Sequence, residues 1–170
     1  MLSRRDVMAI PATMAMASKL PAAPVIQRIE ALAAPYGVTS YFRFLPKPER
    51  PSVLVKITCE DGTVGWGQSV PLPTWSYETP ESVLSSIEHY LAPPLIGKNP
   101  FDLDSIHALM KKAIASSFST GMPIAKAGID LALHDLAGKL THRTLPALWG
   151  RPGLDRIELS WTINARTMAE

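Results

Sequence analysis

Apolar and polar residues alternate from Val25 to Ala34, with Ile26, Arg28, Glu30 and Leu32 interleaved with Val25, Gln27, Ile29, Ala31 and Ala33, which predicts a first strand. The same period returns in Val53, Val55, Ile57 and Cys59 against Leu54, Lys56, Thr58 and Glu60. Asp61-Gly62 follows, a dipeptide suited to a two-residue type I′ turn, so Ser52 to Ser69 reads as a hairpin. Closing it about that turn pairs Cys59 with Val64 and Ile57 with Trp66 on one face. Gly65 and Gly67 then fall on the other, open to a helix or loop. Between the first strand and the hairpin, Pro35 to Pro51 carries Gly37 and prolines 46, 48 and 51 and reads as a loop, with Tyr41, Phe42 and Phe44 inside it. Val70 to Tyr77, with Pro71, Pro73, Trp75 and Tyr77, is a second loop.

Beyond Tyr77 the period changes to that of helices. Thr79 caps a helix with Pro80 at its first position and Glu81 in its first turn, and Val83, Leu84, Ile87 and Leu91 form its stripe before Pro93-Pro94. A second helix starts at Asn99-Pro100 or at Asp102, with Leu103, Ile106, His107, Met110 and Ile114 along one side. The third segment, Ile124 to Gly150, is a helix, a short loop and a tight helical turn. Its apolar residues Ile124, Ile129, Leu131, Leu133, Leu136 and Leu140 are interleaved with Ala125, Ala127, Gly128, Ala132 and Ala137, small enough to let another backbone come close. Pro123 suits a first helical position and Gly150 a stop. Arg156 to Asn164 alternates again, predicting a last strand, and Thr167 to Glu170 would open another helix.

Residues 125–139, AKAGIDLALHDLAGK, with Leu145 to Gly150 after a short gap, resemble the first signature of the mandelate racemase and muconate lactonising group of the enolase superfamily. Thr144 stands where a small residue or Pro is usual, Trp149 where a smaller apolar residue is usual, and Gln68, after Gly65-Trp66-Gly67, where an acid is commoner. The resemblance implies an α+β fold: a three-stranded antiparallel meander, then a small helical bundle, then the start of a (β/α)₈ barrel. It divides the chain into a capping domain over residues 24–150 and a truncated barrel start over 151–170. In the family two loops of the cap fold over the barrel mouth and select the substrate. By position these are Pro35 to Pro51 and Val70 to Tyr77, which makes Tyr41, Phe42, Trp75 and Tyr77 the substrate-side candidates. Packing on the hairpin is the competing role for the same aromatics.

The family abstracts a proton next to a carboxylate and holds the resulting enediolate on Mg²⁺, because the second negative charge is otherwise too costly. Its members are racemases, epimerases and cycloisomerases acting on small carboxylates. The base and the metal ligands sit on later barrel strands, and a barrel takes about 250 residues. No catalytic residue and no metal ligand is therefore assigned here, and Mg²⁺ is implied only for a full-length member. These residues are expected to form a substrate-specificity part that is inactive alone. The alternative is a stand-alone, non-catalytic α+β module that binds through its aromatic loops. The resemblance leaves a homo-oligomer open.

Composition narrows the rest. The 170 residues are 46% hydrophobic and 19% charged, as in globular proteins. A net charge of +2 gives no case for nucleic acid, and no apolar run is long enough for a membrane span. Met1 to Ala23 has its own pattern: Ser3-Arg4-Arg5, a short apolar stretch, and Ala-x-Ala at Ala15 to Ala17. That plan is an export signal and resembles a twin-arginine leader; a frayed terminus of a cytoplasmic protein is the alternative. Cys59, the single cysteine, forms no internal disulfide and reads as a small core residue. Gly65-Trp66-Gly67 lacks the third glycine and the following helix of a dinucleotide loop. His107, His134 and His142 read as packing residues and His89 as a surface one, since none has a cluster at ligand spacing. Asp130 and Asp135 point about 140° apart on a helix and do not converge. Lys126, His134, Lys139 and loop backbone are their expected partners.

Overall fold

The structure is a computed structural model and describes residues 24–38, 47–118, 120–154 and 156–159. Among the described residues five strands and four α-helices follow in order: β1 (Ile26–Ala33), β2 (Tyr36–Gly37), β3 (Glu49–Arg50), β4 (Val53–Cys59), β5 (Val64–Ser69), α1 (Pro80–Ser86), α2 (Leu103–Ala113), α3 (Pro123–Thr141) and α4 (Leu145–Leu148). The main sheet is the antiparallel meander β1-β4-β5. The segment Pro35 to Pro51, expected to be loop throughout, keeps a small ladder at its base. Tyr36 pairs with Arg50 and Gly37 with Glu49, and Val38 N–H donates to the Pro48 carbonyl at 3.0 Å. The antiparallel course of β1 and β4 simply runs on past Pro35 and Pro51.

The hairpin differs from its expected register by one residue. Cys59 N–H donates to the Thr63 carbonyl (2.9 Å) and Gly62 N–H to the Cys59 carbonyl (3.0 Å), so Glu60-Asp61-Gly62 forms a three-residue connection. Gly62 takes φ +83°, and the Asp61 carboxylate accepts from both the N–H and the hydroxyl of Thr63, each at 2.9 Å. A connection with a glycine in the left-handed region is the usual three-residue hairpin solution. Because side chains alternate faces, the shift exchanges the two sides of β5. Ile57 faces Gly65 and Lys56 faces Trp66. Trp66 therefore leaves the core face, and the Lys56 ammonium sits 5.8 Å from its ring centroid.

Gly65 and Gly67 instead share the core face with Val53, Val55, Ile57 and Cys59, all four fully buried. There they admit α3. A Cβ on Gly67 would run into the Gly128 carbonyl oxygen, and one on Gly65 into that of Ala132. Ala125, Gly128, Ile129, Ala132, Leu133 and Leu136 form the buried side of the helix, while Leu131, placed by spacing among its apolar residues, is exposed. Cys59 is buried at the end of the same face, and burial pushes its thiol pKa up to about 11, the Asp61 and Glu60 charges adding to the effect.

The helical half closes the other side of the core. Thr79 caps α1 through a reciprocal box with Ser82: Ser82 N–H donates to Thr79 Oγ1 (3.2 Å) and Thr79 N–H to Ser82 Oγ (2.8 Å). The chain continues through a π-helical turn at Ile87–Leu91 and a 3₁₀ turn at Pro93–Leu95. Val83, Ile87, Leu91 and Leu95 are buried against Ile26 of β1, Ile106 and Met110 of α2, and α3. Asp102 is the cap of α2, its carboxylate accepting from Ser105 N–H at 3.2 Å, which decides between the two expected starts. Gly150, φ +62°, follows α4. The strand expected over Arg156 to Asn164 is not formed in its described part: Arg156–Leu159 lies in no ladder, with Ile157 73% and Leu159 87% exposed. A strand needs a hydrogen-bonded neighbour, and none lies beside this segment among the described residues. Residues 160–170 lie outside them.

Candidate functional site

The loop from Val70 to Tyr77 leaves β5 at Ser69 and enters α1 at Thr79. Within it the Leu72 carbonyl accepts from Trp75 N–H and Ser76 N–H, each at 2.7 Å, and from the Ser76 hydroxyl at 3.1 Å. One oxygen thus folds the middle of the loop into a turn. Trp75 is 72% exposed and Tyr77 89% exposed, so both rings stand outside the core. Tyr41 and Phe42, the other substrate-side candidates, lie outside the described residues.

Both ends of the loop reach the first turn of α3. Ser69 Oγ donates to the Ile124 carbonyl at 2.8 Å. Glu78, only 1% exposed, accepts Ile124 N–H on Oε1 (2.7 Å) and Ala125 N–H on Oε2 (2.9 Å). A helix begins with N–H groups that have no partner inside it, and α3 starts after Met122, whose side chain caps nothing. The Glu78 carboxylate supplies the missing acceptors and meets the positive end of the helix dipole, which is how a charge tolerates burial here. Neither Glu78 nor Ser69 stands out in the local sequence pattern. A signal existed: a Pro-initiated helix with no capping side chain of its own requires an acceptor from elsewhere. Which residue answers is set 46 positions away in sequence and is invisible to local pattern.

The two acids of α3, Asp130 and Asp135, are engaged separately. Asp130 Oδ1 lies 2.7 Å from His107 Nε2, and His134 Nδ1 lies 2.9 Å from the Asp130 carbonyl and 3.6 Å from Oδ2. His107, expected to be a packing residue, is instead a half-exposed partner that ties α2 to α3. His134 also meets Trp149 edge to face at 5.7 Å. His142 ends α3 in the left-handed region (φ 52°), and His89 is on the surface as expected. Asp135 accepts Trp66 N–H at 2.8 Å and the Lys139 ammonium at 2.6 Å, while Lys139 donates on to the Val64 carbonyl at 2.9 Å. This pair occupies two outward backbone groups of β5, an edge strand. Lys126, an expected partner of the acids, donates to the Ile114 carbonyl at 2.6 Å. Burial lowers its pKa, the Lys111 charge adding to the effect and the Glu78 charge opposing it.

These acids do not fit Mg²⁺. A hard cation takes about six oxygen ligands converging on one point. Asp130, Asp135 and Glu78 each face their own donors, and among the described residues no group of three or more His, Cys, Asp or Glu could hold a metal ion. A groove of about 780 Å³ lies between Trp66 and Leu54 on one side and Leu131, His134 and Leu145 on the other; neither loop aromatic lines it. No helix among the described residues is long and apolar enough to cross a membrane.

Comparison with known proteins places this arrangement. Residues 44–150 match the family model described as mandelate racemase / muconate lactonizing enzyme, N-terminal domain. A chloromuconate cycloisomerase of Cupriavidus necator is 39% identical over 113 residues, covering 65% of this chain and 29% of that enzyme. An N-succinyl-L-Arg/Lys racemase of Bacillus cereus is 35% identical over 102 residues, covering 60% of this chain and 26% of the racemase. The chain thus spans about a third or less of these relatives. Among solved structures, muconate lactonizing enzyme from Pseudomonas fluorescens, complexed with muconolactone, superposes with a TM-score of 0.77 at 25% identity over 86% of this chain and 39% of that one. A dipeptide epimerase from Enterococcus faecalis, complexed with Mg and L-Leu-L-Tyr, gives 0.64 at 32% identity over 73% and 34%.

Proposed function

This chain belongs to the mandelate racemase / muconate lactonizing enzyme N-terminal domain family, and from that premise we propose that it is the substrate-selecting cap of such an enzyme. Residues 24–150 form the capping domain and 151–170 begin the barrel. Loops 35–51 and 70–77 cover the barrel mouth, with Tyr41, Phe42, Trp75 and Tyr77 facing a small carboxylate substrate. Proton abstraction next to that carboxylate is the work of the barrel, where the base and the Mg²⁺ ligands reside. The 170 residues alone are inactive.

The observation that carries this reading is the pair Trp75 and Tyr77. Two large aromatic rings stand 72% and 89% exposed on a loop whose both ends are tied down. Exposed aromatics on a fixed support have a surface to offer and little to contribute to the core. The relatives include cycloisomerases, racemases and epimerases. That spread of reactions on one cap fold agrees with a cap that selects and a barrel that reacts. The test is a graft: residues 24–150 replace the corresponding cap of the Cupriavidus necator cycloisomerase, and activity is measured with Mg²⁺ on a panel of α-carboxylate substrates. Activity with altered substrate preference is expected. A folded graft with the parent's unaltered preference would remove the selecting role.

A further inference from the structure

Ile124 is held twice. Its N–H is taken by Glu78, just past the end of loop 70–77, and its carbonyl by Ser69, just before the start. A loop of this length would ordinarily be free to rotate about its two stems. Here both stems converge on one residue at the head of a 19-residue helix that is packed along the sheet. Tyr77 is the residue next to Glu78, and Trp75 stands three before it, inside the turn gathered by the Leu72 carbonyl.

We propose that Glu78 is a positioning residue: its carboxylate, bound to the Ile124 and Ala125 N–H groups, sets where Trp75 and Tyr77 stand over the ligand. The mention of the ligand rests on the function proposed above; the positioning itself does not. Three features make the carboxylate specific to the task. It uses both oxygens on two consecutive N–H groups, so it fixes direction as well as distance. It is shielded from water, so no solvent molecule replaces a lost bond. The Ser76 hydroxyl shares its one proton between the Leu72 carbonyl (3.1 Å) and the Glu78 carbonyl (3.2 Å) and accepts from Glu78 N–H at 3.4 Å, which links the carboxylate's own backbone to the turn. A glutamine at this position keeps the shape but has one acceptor oxygen, and its amide N–H₂ faces the second helix N–H, donor against donor.

The experiment uses the 170-residue chain without ligand. Amide exchange at Ile124, Ala125, Leu72 and residues 74–77, and the order parameter of the Trp75 indole N–H, are compared in wild type, Glu78→Gln, Ser69→Ala and Ile129→Val. The last variant trims the core side of α3 and touches neither stem, so it reports plain loss of stability. Glu78→Gln should speed exchange at Ile124 and Ala125 about tenfold or more and release fast motion at Trp75, while Ile129→Val leaves the indole as ordered as in wild type. If Glu78→Gln loosens only the two helix amides and Trp75 stays ordered, or if Ile129→Val frees the loop equally, the proposal is overturned. Should Glu78→Gln fail to fold, Ser69→Ala decides from the other stem: added motion at Trp75 supports the common anchor and unchanged order defeats it. Loss of the selecting role in the graft would leave this result standing, and an unmoved loop would leave the graft result standing, so the two ideas fail separately.

Discussion

Replacing Gly67 by alanine adds one methyl group at the tightest point between sheet and helix. An ideal Cβ there meets the Gly128 carbonyl oxygen well inside contact distance, and lies 2.6 Å from Ala132 N and 3.1 Å from Gly128 C. All three are backbone atoms of α3, so no side chain can rotate away. The helix must lift, and lifting it disturbs the packing of Ile129, Ala132, Leu133 and Leu136 together. Overpacking of this kind costs about 1–3 kcal/mol, and a rigid obstacle puts Gly67→Ala at the upper end. With roughly 4–8 °C of melting temperature per kcal/mol for a domain of about a hundred residues, a cost of about 3 kcal/mol corresponds to a fall of about 12–24 °C. Gly37 is the control: a Cβ there has nothing within 4 Å and its φ is ordinary, so Gly37→Ala should be neutral or slightly stabilising. Thermal and urea unfolding followed by circular dichroism measures both. If Gly67→Ala melts within error of wild type, or no lower than Gly37→Ala, the close approach of α3 to β5 is wrong and with it the placement of Trp66 on the outer face.

Cys59 should react slowly with alkylating agents in the folded chain and rapidly in urea. Its raised pKa has a definite sign: from the ordinary 9.0 to about 11 the unfolded thiol is ionised and the folded one is not, so stability falls as pH rises through that window. Cys59→Ala should remove this fall, seen as a difference in unfolding free energy between variant and wild type across those pH values. Calorimetry of the 170-residue chain with Mg²⁺ should show no saturable binding below millimolar concentration; tight binding would mean that Asp130, Asp135 or Glu78 has been misassigned. We also propose that residues 1–17 direct export, in which case protein purified from its own host begins at or near Ser18; an intact Met1 in a cytoplasmic fraction would end that idea.

Most of the scaffold is legible in local pattern. The period-two burial of Val53, Val55, Ile57 and Cys59, the Thr79 cap, the Pro123 start and the small-residue side of α3 all follow from residues a few positions apart. What local pattern misjudged depends on choices between near-equal alternatives. Asp61-Gly62 serves a two-residue turn and the second half of a three-residue one, and the difference of one residue moved Trp66 across the sheet. The alternation in Arg156–Leu159 describes a strand that needs a neighbour from elsewhere. The site divides in the same way. Trp75 and Tyr77 are recognisable as loop aromatics, but Glu78 is meaningful only once α3 is known to begin beside it. His107 likewise gains its role from Asp130, 23 residues on.

The proposed selection of substrate by the exposed loop aromatics is put to the test by Trp75→Ala within the active graft. The measurement is the ratio of kcat/KM for two substrates that differ in the group away from the carboxylate, taken beside the melting temperature. The ratio should change several-fold while the melting temperature stays nearly constant, because a ring 72% exposed contributes little to the core. An unchanged ratio would contradict it. So would a stability loss on the scale of a buried aromatic truncation, about 3–5 kcal/mol, which would return Trp75 to the core.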